Sequence, residues 1–320
     1  MESEHFSKQS FDCLKGLFAL VILSHHLYQN THIVTNKFLC LIFQNMGVWA
    51  VGIYLFISGF GLYYSYLNKG DDYIASFPRN RILPFYLICV TLVLIYLGIN
   101  MFIDNPVTTE KILYSLSFGG TIIKHGWYLQ TILFVYIAFW FAFRFFATKK
   151  KVPVIMTVVV IYALYKYGTG ALSTSYETVL CVLAGGGAYW LNLRRQTPRK
   201  LFSVVIFVLF ASSFIMRFVC SKYNLLYLSW PFTSIANISF CFFVVSIDNI
   251  KLIRNRLFEK LGEYSLEIYT LQGLWILVFH SEKIYINNAF SFAILVSVCT
   301  FASSYVFHFW TKKIYKICRR

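Results

Sequence analysis

Apolar runs of roughly 17 to 25 residues follow one another along nearly the whole chain, separated by short polar stretches. Each is long enough to cross about 30 Å of hydrocarbon as a helix. Lipid satisfies no free backbone N–H or C=O, so helices are what such runs must form. The pattern predicts spans near 13–30, 46–66, 82–103, 127–147, 152–167, 176–193, 201–219, 229–247, 262–280 and 288–310. The fifth is short and carries Lys166 near its end. The expected fold class is therefore all-α, a polytopic membrane protein of about ten transmembrane helices.

Composition agrees: of 320 residues, 58% are hydrophobic and only 13% charged, more apolar surface than one soluble core can bury. A net charge of +16 raises nucleic acid as a partner, but its distribution argues against it. Most of the 29 Lys and Arg fall in every second loop, among them Lys69, Lys149 to Lys151, Arg194, Arg195, Arg199, Lys200, Lys251, Arg254, Arg256, Lys260, and Lys312 to Arg320. By the positive-inside rule both termini are cytoplasmic and the span number is even; attraction to anionic membrane lipids explains much of the rest. The eight cysteines show neither a C-x-x-C pair nor metal-ligand spacing. The polar opening MESEHFSKQS leads into an apolar run without a cleavage site, and no loop is long enough for a soluble domain. Residues 1–320 are expected to form a single transmembrane domain.

Chemistry enters where the spans turn polar. The first, FDCLKGLFALVILSHHLYQN, puts Lys15 near its cytoplasmic start and His25 and His26 deep inside, a costly placement. At 100° per residue the step from Lys15 to His26 is three turns plus about 20°, so both share one face about 16 Å apart. His25 stands about 80° off that stripe and reads as a packing or orienting partner. A cation at the mouth suits a phosphate, and a deep histidine takes a proton from a hydroxyl at neutral pH. Snorkelling by Lys15 and helix-to-helix bonding by the histidines account for the same residues, and both readings stay open.

Further polar positions follow. Gly47, Gly52, Ser58, Gly59 and Gly61 make the second span dense in small residues, which lets helices approach closely; Gly59 and Gly61 also permit a local break. In FPRNRILPFYL, Arg79 and Arg81 precede a span whose first turn holds Pro84, a phosphate-binding arrangement at a helix N-terminus with free donors, or equally a pair meeting headgroups. His125, Trp127, Tyr128 and Gln130 open the fourth span, where a sugar-binding cluster and an interfacial aromatic belt look alike. In LGEYSLEIYTLQGLW, Ser265, Glu267, Tyr269 and Gln272 sit on an otherwise apolar helix, and Glu267 needs a partner, for which Lys15 or the Arg79 and Arg81 pair are candidates. Gly185 to Gly187 mark close packing.

With these residues in view, the chain resembles acyltransferase family 3, bacterial membrane O-acyltransferases that decorate surface glycans. The resemblance spans nearly the full length. It rests on the basic residue, ten-residue gap and histidine of Lys15 to His26, on Val51, Gly52, Phe56, Ser58, Gly59 and Phe60, on RNRILPFYL, on the Trp-Tyr-Leu string at 127–129, and on the Leu-Gly-x-x-Ser-x-x-x-Tyr string at 261–269. Two positions depart: Lys15 stands where the family usually has arginine, and Gln272 where it usually has histidine. The resemblance implies transfer of an acetyl group, or less often another short acyl group, from cytoplasmic acyl-CoA (acetyl-CoA as donor) to a lipid-linked or nascent polysaccharide at the cytoplasmic membrane. It implies no metal and no nucleic acid, and leaves room for polysaccharide synthesis machinery as a partner. His26, with His25 beside it, is the implied catalytic centre. Lys15, Arg79 and Arg81 would hold the CoA phosphates, and Ser58, Trp127, Tyr128, Ser265 and Glu267 would line donor or acceptor paths. Two rivals remain: a transporter or flippase of a glycan or lipid intermediate, and an inactive assembly partner, which Gln272 keeps in view.

Overall fold

The computed structural model describes residues 8–119, 122–194, 199–246 and 253–319. Arg195, Lys251 and Arg320, three of the residues expected on the basic side, lie outside the described residues, as does most of the polar opening. The helices are α1 (Lys8–Thr31), α2 (Lys37–Phe77), α3 (Leu83–Phe102), α4 (Thr109–Tyr114), α5 (Trp127–Phe145), α6 (Thr148–Gly168), α7 (Ser173–Thr178), α8 (Leu180–Arg194), α9 (Arg199–Lys222), α10 (Leu226–Ser246), α11 (Arg256–Glu263), α12 (Ser265–Phe279) and α13 (Ala289–Arg319). Among the described residues extended structure is confined to one isolated bridge, His280 with Tyr285. Among the described residues seven helices are long and apolar enough to cross a bilayer, counting Lys37–Phe102 as one run of 66 residues; α12 is apolar but shorter. The protein is thus an all-helical membrane protein.

Local chemistry sets the boundaries. Asn36 caps α2, its side chain accepting from the N–H groups of Phe38 and Leu39. Inside α2 the helix breaks at Gly70, where φ is +60°, a conformation that strains any residue with a Cβ. The break therefore falls at Gly70 and not at Gly59 or Gly61. The ninth apolar stretch divides at Tyr264, so the helix carrying Glu267 starts at Ser265.

The contacts group into two compact units, the first Met1–Phe18, Val48–Tyr73 and Phe141–Gly262, the second Ala19–Gly47, Ile74–Trp140 and Glu263–Arg320. In the first, α9 packs along α10, and Trp49 of α2 lies among Phe210, Phe214 and Phe240 with ring centroids 5.4–5.7 Å apart. Two helix crossings there are reciprocal glycine contacts. A Cβ on Gly59 would strike the Val182 carbonyl, and one on Gly185 the Phe56 carbonyl; likewise Gly16 abuts Phe258 O and Gly262 abuts Asp12 O. Each helix thus supplies a bare Cα to the other's backbone, which is how small residues give contact where no hydrophobic force acts between helices. Lys151, buried, donates to Tyr66 Oη at 2.8 Å and to Asp71 Oδ1 at 3.3 Å.

In the second unit α12 packs on α13, and Leu23, Ile276, Val278, Phe279, Phe292 and Val296 form a buried apolar cluster. Trp275 Nε1 donates to Ser303 Oγ at 2.9 Å, and Tyr96 Oη to the Thr270 carbonyl at 2.8 Å, so polar atoms in the apolar interior are paired across helices.

The glycine contacts make a direct test. Gly59→Val should destabilise the protein by about 1–3 kcal/mol through overpacking, whereas Gly61→Ala, in open space on the same helix, should leave the thermal unfolding midpoint unchanged or slightly raised. Equal midpoints for the two variants would refute the close crossing of α2 and α8.

Candidate active site

The second unit holds His25, His26, His125, Glu267 and Gln272. His25 and His26 end the apolar stretch of α1 and are 8% and 5% exposed. His25 Nδ1 lies 2.6 Å from the Phe43 carbonyl, which can only accept, so Nδ1 carries the proton and donates. Gly47 leaves room for the His25 ring, which a Cβ there would displace. His25 is thereby fixed in place.

His26 faces elsewhere. Its ring stacks flat on His125, with centroids 3.7 Å apart and planes 11° from parallel. His125 sits in the turn before α5 with φ at +63°, a left-handed backbone that only a few non-glycine residues adopt and that surrounding contacts must hold. Those contacts come from α12. Tyr269 Oη donates to the His125 carbonyl at 2.6 Å, and Gly273 lets the turn seat on the helix, since a Cβ there would fall 2.8 Å from Lys124 O and 2.9 Å from Tyr96 Oη. Tyr128 packs on Tyr269 at 5.1 Å, and Trp127 sets its ring against Tyr128 at 6.4 Å. Burial, with the Lys124 and His25 charges, holds the His125 imidazole down at about 4, so it is neutral at physiological pH.

Gln272, fully buried, lies beside His26 and donates to the Tyr269 carbonyl at 3.1 Å. Three buried atoms in this cluster lack a protein partner: His26 Nδ1, His125 Nε2 and Gln272 Oε1. Such atoms are few in folded proteins, and here three are gathered at one place.

Glu267 differs from expectation. Its Oε1 accepts from Thr311 Oγ1 at 2.7 Å and pairs with His308 Nδ1 at 3.0 Å, while Oε2 is buried without a hydrogen-bond partner. A histidine and a threonine of α13 are thus partners of Glu267, neither of them among the candidates named from sequence. An imidazole and a hydroxyl hold a carboxylate with less buried charge than a permanent cation would bring. Ser265, buried, opens the same helix two residues before Glu267.

Arg79 and Arg81 lie in a π turn, Pro78–Ile82, that joins α2 to α3 without a break. Leu83 N–H donates to the Pro78 carbonyl, so the free helix N-terminus expected beside the arginines is absent. Pro78 and Pro84 both lack an N–H, and the wider turn fits that loss without ending the helix. Arg79 is exposed and Arg81 half-buried.

Lys15 and Ser58 belong to the first unit. Lys15 Nζ is ion-paired with Asp12 Oδ1 at 2.8 Å, a partner one turn away that the sequence reading passed over, and Ser58 is half-buried. His308 was missed as well, although an ionisable residue inside an apolar run, here within FHFW, is itself the signal. The stacking of His125 on His26 had no such signal, because it is a contact across 99 positions of chain.

A family described as an acyltransferase domain, acyltransferase family 3, has a sequence model that matches residues 8–309, and the chain belongs to that family. Comparison with curated proteins and with solved structures gives no significant match.

The neutral state of His125 sets a pH dependence. An unfolded chain takes up that proton near 6.5 and the folded chain only near 4, so the stabilisation is complete above about 6.5 and is lost as pH falls toward 4. The thermal midpoint should drop across that window in the wild type. His125→Phe, which keeps a flat ring and cannot titrate, should show a shallower drop; identical slopes would refute the assignment.

Proposed function

We propose that the protein transfers an acyl group, acetyl foremost, from cytoplasmic acyl-CoA to a hydroxyl of a lipid-linked or nascent cell-surface polysaccharide. Acyl transfer itself follows from the family. The observation that carries the finer reading is the stacked His26 and His125 pair with unpartnered ring nitrogens beside Gln272. A neutral imidazole with a free nitrogen is the group that accepts a hydroxyl proton.

In this reading His26 Nδ1 takes the proton of the acceptor hydroxyl as its oxygen attacks the thioester carbonyl. The C–O bond forms, the C–S bond breaks, and the CoA thiolate leaves, recovering the proton from His26. His125 holds the His26 ring by stacking, and its own free nitrogen and Gln272 Oε1 orient the sugar. Trp127 and Tyr128 support that turn through Tyr269. His25 anchors the end of α1. Ser265 and Glu267 are assigned to the substrate path, Glu267 with His308 behind it. The donor phosphates are assigned to Arg79 and Arg81, and Lys15 and Ser58 to donor binding on sequence grounds.

Ile123, two residues before His125, lines a small cavity with Tyr86, Val93, Ser115, Leu129, Gln130 and Leu133. The protein is taken as one acyltransferase domain of about ten spans in the cytoplasmic membrane, with both termini cytoplasmic and a polysaccharide synthesis system as its setting. Gln272 cannot titrate, which leaves His26 to carry the proton alone.

Radiolabelled acetyl-CoA tests this with purified protein and a lipid-linked glycan. His26→Ala should lower transfer by roughly two to four orders of magnitude at unchanged protein level. Unchanged turnover would defeat the assignment of the base, and label moving across the membrane without transfer would favour a transporter.

A further inference from the structure

In the first unit, four oxygens lack a protein partner: Thr174 Oγ1 and Glu177 Oε2 on α7, Ser234 Oγ and Asn237 Oδ1 on α10. Glu177, Ser234 and Asn237 are only 5%, 3% and 1% exposed. Two hydrogen bonds clamp the helices together here. Trp230 Nε1 donates to the Tyr176 carbonyl, and Asn237 Nδ2 to the Glu177 carbonyl, each at 3.3 Å. Trp230, Ser234 and Asn237 recur at i, i+4 and i+7, so one face of α10 meets α7 with Ser234 between the two clamps.

All four open atoms are oxygens, and the carboxylate and amide oxygens only accept. Buried acceptors left unmade are unfavourable, and a ligand that donates hydrogen bonds relieves them. Charge narrows the choice: Arg217 acts electrostatically on Glu177, so the carboxylate is already opposed and a neutral donor suits the nest better than a cation. Aromatic rings adjoin it. Trp230 stacks on Tyr167 at 5.4 Å, Tyr176 stands edge-on to both, and Tyr167 is 39% exposed. Carboxylate, amide and hydroxyl acceptors beside a flat aromatic face recognise sugars: hydroxyls donate to the oxygens while the C–H face covers a ring.

We infer that the nest between α7 and α10 is a saccharide-binding site taking a neutral sugar residue of the acceptor glycan. It rests on the reading that the acceptor is a glycan. The site gives the first unit a role in holding the acceptor chain, independent of the proton transfer assigned to His26.

Saturation-transfer NMR tests it on His26→Ala protein in nanodiscs, where turnover cannot intervene, with a panel of neutral hexoses and N-acetylhexosamines. At least one sugar should show saturated ring protons, and Asn237→Leu should weaken its binding roughly tenfold. Tyr167→Ala, at the exposed rim, should weaken binding with the fold intact, which guards against misfolding of the buried variant. No sugar binding by folded protein, or binding unchanged in both variants, would overturn the inference. So would stabilisation by sodium ions that vanishes in Glu177→Gln, because the nest would then hold a cation. Thioester turnover by the wild type, measured separately, distinguishes failures. Normal donor turnover without sugar binding sinks this site alone, and sugar binding without donor turnover sinks the acyl-transfer reading and leaves the site standing.

Discussion

Two imidazoles pressed face to face inside a membrane protein carry a free-energy cost that only the surrounding backbone can sustain. The His26 and His125 stack exists because a left-handed turn delivers His125, and that turn exists because α12 offers it a tyrosine hydroxyl at position 269 and a bare Cα at Gly273. Neutrality is part of the same constraint. A charged His125 ring so near its partner and Lys124 would meet repulsion in a poorly solvated place, so His125 rests neutral.

Much of this unit is organised around keeping polar atoms satisfied at depth, and the exceptions are informative. Tyr96, Trp275, Thr311 and His25 all find partners on neighbouring helices or loops. The atoms without partners lie at His26, His125 and Gln272, at Glu267 and His308, and at Thr300 and Ser304 of α13. Glu267 and His308 form a second ionisable pair with one free atom on each residue, which makes the α12 and α13 interface part of the polar interior and not simply a packing seam.

The sequence made the apolar runs, the all-helical class and the depth of His26 legible, because length, hydropathy and the 3.6-residue period act locally. Its motifs also carried the family. Contacts between distant segments were not legible. Nothing in KHGWYLQ announces that His125 will lie on His26, since that depends on the fit of a turn against Gly273, and Glu267 gave a need for a partner without its identity. Arg79 and Arg81 misled in a different way: Pro84 just after them suggested a helix start, yet a π turn carries the helix through. Lys15 was read as an open cation, although Asp12, three residues earlier, was within reach on the same helix.

The stack is most directly tested by a double-mutant cycle on acyl-transfer rate with purified protein, combining His26→Gln with His125→Ala. If His125 acts through His26, removing it should matter far less once His26 is gone, giving strong non-additivity. Two independent, additive losses would contradict the account, because the histidines would then not work as one unit.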